Sequence, residues 1–142
     1  MNIIHENENM VAKFDTTSAI LICSCKENGG DINMDALLAI LHVWFEKCVE
    51  HTQDFSMILD LEHVQGDILG ACTKIAAYFS QLDEKYIAHF KALAVITGNC
   101  SYYIDTLQAL YTSSVPFKKV QDVEKGTQWI NDICSSTKYY SV

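Results

Sequence analysis

No arginine occurs among the 142 residues, and Pro116 is the sole proline. The missing guanidinium removes the planar, bidentate clamp for phosphates and carboxylates. Ten lysines stand against 18 Asp and Glu, a net charge of −8. That balance argues against a nucleic-acid binder, because phosphate neutralisation needs clustered cations. No stretch approaches the roughly 18 apolar residues that span a bilayer, and a run such as Ala92–Ile96 is only strand length. The first ten residues, MNIIHENENM, are polar and acidic, without the basic and apolar parts of a secretory leader. A cytoplasmic chain is expected.

What is present is enough for one core. Hydrophobic residues make up 49%, so a single domain of this length buries a proper interior and is not disordered. The six cysteines, at 23, 25, 48, 72, 100 and 134, sit inside apolar or helical stretches. In a reducing compartment that is the pattern of small buried hydrophobes, not of a disulfide framework. The sequon Asn99-Cys100-Ser101 is expected to be accidental in a cytoplasmic chain.

Strands and helices alternate legibly. Met10–Phe14 and Ala19–Cys25 flank the turn Phe14–Ser18 and suggest an antiparallel hairpin. After Asn28-Gly29-Gly30, with Asp31 or Asn33 as cap, Met34, Leu37, Leu38, Leu41, Trp44, Phe45 and Cys48 mark one face of a helix. Phe55–Leu61 reads as a core strand, and Ile68, Cys72, Ile75, Ala76 and Phe79 as a helix that Asp67 can cap. Residues 80–90 continue helically or as a short helix and turn, before the strand Ala92–Thr97. Tyr103, Leu107, Leu110 and Tyr111 outline a third helix, Val115–Val120 a short strand, and Val123–Ile133 a final helix. The expected domain is α/β, with a mixed, mostly parallel sheet of about five strands in the order β-β-α-β-α-β-α-β-α. It occupies residues 10–134, between a polar segment (1–9) and a tail (135–142) ending in a tyrosine pair.

That order resembles the STAS and SpoIIAA-like domains, fold neighbours of the lipid-binding part of Sec14-like (CRAL-TRIO) proteins. Met57-Ile58-Leu59-Asp60-Leu61 is similar to the family's central strand, and Phe90–Asn99 to the next strand with its polar end. Val115–Val120 with Val123–Ile130 resembles the closing strand and helix. The resemblance implies a regulatory module that acts by binding another protein. In anti-sigma-factor antagonists the loop after the central strand carries a phosphorylated serine in an Asp-Ser-(Ser/Thr)-Gly stretch. Here that stretch is Val64–Ala71, and the first hydroxyl is Thr73 on the following helix.

Candidate chemistry concentrates at one strand end. Asp60 stands in an otherwise apolar strand and must be hydrogen-bonded or lie at the sheet's carboxyl edge, as a structural carboxylate or one that faces a ligand. Glu62, His63, Gln65 and Asp67 follow on the same edge, where open α/β sheets bind partners. As a cluster they could also serve acid/base work or hold a weak cation. No nucleophile accompanies them, so no catalytic residue is assigned. Cys23 and Cys25 share a strand face, but no second Cys or His pair stands at ligand spacing, and no metal or cofactor is expected. His5, His42, His51 and His89 show no ligand spacing either. Gly29-Gly30 and Gly66…Gly70 lack the phosphate-loop fingerprint.

The leading reading is a non-enzymatic regulatory or scaffolding module. It binds a protein with a basic surface, or a second copy, through Glu62, His63, Gln65, Asp67 and Thr73. On this reading Asp67→Lys weakens association and leaves thermal stability nearly unchanged. The alternatives are a small Sec14-like carrier of an apolar ligand, for which the aromatic residues could line a pocket, and a hydrolase using Asp60 and Asp67.

Overall fold

A computed structural model describes residues 2–98 and 101–140, with side chains over 2–98 and 102–135. Asn99 and Cys100 of the sequon lie outside the described residues. Among the described residues the chain forms one six-stranded sheet whose spatial order follows the sequence. Its elements are β1 (Asn2–Glu6), β2 (Met10–Asp15), β3 (Ile20–Cys25), α1 (Met34–Glu50), β4 (Phe55–Asp60), α2 (Ile68–Ser80), α3 (Glu84–Ile87), β5 (Phe90–Ile96), α4 (Ser101–Leu110), β6 (Phe117–Val120) and α5 (Val123–Tyr140). β1, β2 and β3 pair antiparallel, and β3 to β6 pair parallel. The mixed α/β domain is as the alternation of elements implies.

Two expectations need correction. The sheet has six strands instead of about five, because the polar segment expected at 1–9 contains β1. Ile3 and Ile4 are exposed there, so β1 is held by backbone pairing with β2 and carries no buried alternation to read. The tail is also helical: α5 continues past Ile133 to Tyr140.

Sequential order has a physical consequence. Right-handed crossovers that all advance in one direction place their helices on one face. Strand alternation then divides the core in two. Leu21, Cys23, Met57, Leu59, Leu93 and Val95 face the larger cluster with α1, α2 and α4. Ile20, Ile22, Ile58, Ala94 and Ile96 face the smaller cluster, which Ile130 of α5 completes. α5 approaches the sheet closely at Gly126: a Cβ there would lie 3.2 Å from Ile58 Cδ1 and 3.5 Å from the Ala94 Cβ. The α1 stripe is as the periodicity requires, with Met34, Leu37, Leu41, Phe45 and Cys48 buried. No helix among the described residues is long and apolar enough to cross a membrane.

Candidate functional site

Three loops meet at the carboxyl ends of β3, β4 and β5. The Ile32 amide donates to the Gln65 carbonyl at 3.1 Å, tying the loop before α1 to the loop before α2. Gly66, at φ +91, lies against the Asp31 side chain, and a Cβ there would stand 3.0 Å from it. Gly98, at φ +50, lies closer still to Glu62, where a Cβ would stand 2.8 Å from its Cγ and 2.9 Å from its Cα. Glycine meets both demands at once, left-handed backbone and close approach.

The rim these loops form is acidic. Glu27, Asp31, Asp35, Glu62 and Asp67 are all exposed on it. Lys26 is engaged with Glu6 at 2.8 Å. Between the first turns of α1 and α2 runs an open groove of about 310 Å³, lined by Asn33, Asp35, Asp67, Gly70 and Lys74 among others. Asn33 Oδ1 accepts from the Ala36 amide at 3.1 Å, and Asp67 Oδ1 from the Gly70 amide at 2.9 Å. Both helix N-termini are thus capped by the chain's own side chains. Asp67 adds a negative charge where the helix dipole would otherwise attract an anion.

Asp60 sits at the end of β4, half-buried, and its Oδ1 accepts from the Glu62 amide at 3.1 Å. Burial pushes its carboxyl above the ordinary range. The Glu62 amide opposes that shift, the nearby Glu62 carboxylate adds to it, and His63 opposes it. Alternation along β4 puts Asp60 on the α5 face, because Leu59 faces the other side. Asp67 caps a helix on that other side. The two carboxylates therefore do not converge on one reacting atom.

Of the residues singled out by sequence, Glu62, Gln65 and Asp67 are exposed on the rim and His63 is half-buried beside Asp60. Thr73 is exposed one turn into α2, and its hydroxyl donates to the Leu69 carbonyl at 2.9 Å. The capping role of Asp67 also corrects the expectation for Asp67→Lys, which removes a cap as well as a charge and so cannot leave stability untouched. Sequence reading missed Lys74, on the helix that Asp67 caps, and the facing wall, Asp31 and Asp35. Its one local signal was the capping pattern Asp31–Asn33, and its nearness to Asp67 depends on the contact between loops. Among the described residues no group of three His, Cys, Asp or Glu is placed to hold a metal ion.

No protein-family model matches the sequence, and no curated protein matches it. Among solved structures, the fold is similar to apo-SiaC from Pseudomonas aeruginosa, with TM-score 0.52 and 15% identity. The likeness covers 84% of this chain and 96% of SiaC. At that identity it is a likeness of fold.

Proposed function

We propose that the chain is a non-enzymatic regulatory or scaffolding module of the STAS/SpoIIAA-like type, which binds a partner protein through the acidic rim. The observation that carries this reading is the rim itself, five exposed carboxylates on the first turn of α1 and on loops locked together by backbone and glycine contacts. Glu62, Gln65 and Asp67 form its centre, with His63 and Thr73 at its margins. A basic partner surface complements it, and association weakens with salt because exposed charges are screened within about 10 Å at 0.1 M.

The hydrolase reading is disfavoured because Asp60 and Asp67 each accept a backbone amide and serve opposite sides of the sheet. The carrier reading is disfavoured because the larger hollow beside Phe55, Ile133 and Cys134, about 390 Å³, is open to solvent and rimmed by Thr17, Ser18, Asp54 and Lys91. The enclosed space beside Cys23, Cys25 and Leu37, under the end of α1, measures about 10 Å³. That is room for one water molecule at most. Native mass spectrometry of the purified chain, before and after denaturation, tests the choice. The expected result is the bare polypeptide mass in both states. A small apolar molecule released on unfolding overturns the module reading in favour of the carrier.

A further inference from the structure

At the β6 edge the charge sign reverses. In a chain of net charge −8, an open groove of about 320 Å³ between β6 and α5 is lined by Lys118, Lys119, Lys125, Gln128, Trp129 and Asp132, among others. Lys119 is engaged by Asp105 at 2.7 Å. Among the described residues, neither Lys118 nor Lys125 enters an ion pair. Lys118 shares a strand face with Val120, which is buried against α5. Its ammonium therefore belongs to the wall that also carries Lys125 and Trp129.

The strand beside this groove closes the sheet, with β5 as its neighbour on one side. The Leu93 amide donates to the Pro116 carbonyl at 2.8 Å. By alternation, Pro116 and Lys118 address β5, and Phe117 turns its N–H and C=O away from it. An extended chain laid along that edge meets backbone groups on one side and ammonium groups on the other. Residues two apart on such a chain recur about every 6.6–6.8 Å and face the same wall. Lysines supply point charges on flexible apolar stems, suited to single carboxylates, and no arginine is present to clamp a phosphate. The overall negative charge also repels a long polyanion.

We infer that the β6–α5 groove docks an extended acidic segment of a partner protein, by strand addition at β6 and by carboxylate contacts to Lys118 and Lys125. This surface is separate from the acidic rim and has the opposite charge preference.

The test uses the full chain and a fluorescent short peptide of alternating glutamate and threonine, with its glutamine counterpart and an oligothymidylate as comparison probes. In a Trp44→Phe background, Trp129 is the only indole and reports on the groove directly. The glutamate peptide is expected to bind saturably and change Trp129 emission. Lys118→Gln with Lys125→Gln is expected to weaken it by about fivefold or more, in line with two exposed ion pairs. Asp67→Asn on the rim leaves this binding unchanged, which separates failure here from failure of the rim reading. Any of four results overturns the inference: no saturable binding, equal binding of the glutamine peptide, indifference to the lysine substitutions, or oligothymidylate binding as well as the glutamate peptide.

Discussion

Asp67 Oδ1 accepts a hydrogen bond from the Gly70 amide at 2.9 Å, so the same carboxylate that marks the acidic rim also closes the N-terminus of α2. Charge and cap separate by substitution, because asparagine caps a helix about as well as aspartate. Asp67→Asn is expected to keep unfolding stability within about 0.5 kcal/mol of the parent, whereas Asp67→Ala loses about 1 kcal/mol. Urea titrations of the three proteins measure this. Equal losses in both variants would mean that the charge, and not the cap, stabilises the helix.

A different carboxylate sets a pH dependence. Asp60 is pushed upward by burial, so its folded pKa lies above its unfolded value near 3.9. A raised folded pKa means that its contribution to stability is fully present below the unfolded pKa and fades as pH rises through the folded one. At neutral pH the ionised group is therefore a liability. Asp60→Asn, which keeps the acceptor for the Glu62 amide, is expected to raise stability at pH 7. Below about pH 3.9, where the parent carboxyl is protonated in both states, that advantage disappears. Thermal unfolding at several pH values checks the sign; a variant that is less stable at pH 7 contradicts it.

Much of the fold was legible in local pattern. Leu37, Leu41 and Phe45 announce α1 because their spacing repeats the helical turn. Met57–Leu59 and Leu93–Val95 announce central strands because both of their faces are buried. β1 was not legible, since Ile3 and Ile4 point to no core and the strand exists through backbone bonds to residues 11–14. The site divides along the same line. Asp67 is visible as a cap before an apolar helical run, but the wall opposite, Asp31 and Asp35, reaches it through a bond from Ile32 to Gln65. No local periodicity encodes a contact between loops more than thirty residues apart.

Gly126 tests the seat of α5. A Cβ there meets Ile58 Cδ1 at 3.2 Å and Val120 Cγ2 at 3.4 Å, a crowded but yielding contact. Alanine gains about 0.8–1 kcal/mol of helix propensity over glycine, so Gly126→Ala is expected to stay within about 1 kcal/mol of the parent. Gly126→Leu drives a branched side chain into the sheet and is expected to cost about 1–3 kcal/mol by overpacking. Denaturant midpoints with unchanged slopes report both. A neutral leucine would show that α5 does not lie on the sheet at this point.

Ala19 adopts φ +54 in the turn just before β3, a left-handed conformation that costs an L-residue roughly 1–2 kcal/mol. Glycine relieves that cost but loosens the unfolded chain by about 0.4–1 kcal/mol. Ala19→Gly is therefore expected to gain up to about 1 kcal/mol, and the β-branched Ala19→Val to lose stability. Calorimetric melting of the pair decides, and a stabilising valine would contradict the turn geometry.

The proposed function requires that the acidic rim bind a basic protein surface. The most direct measurement is quantitative capture from source-cell lysate by the tagged full chain, compared with Glu62→Gln combined with Asp67→Asn, at low and high salt. Both substitutions remove charge, and the second retains the cap. At least one protein with a basic surface is expected to be held by the parent, released by salt and lost with the double variant. The same proteins retained equally by parent and variant would contradict it.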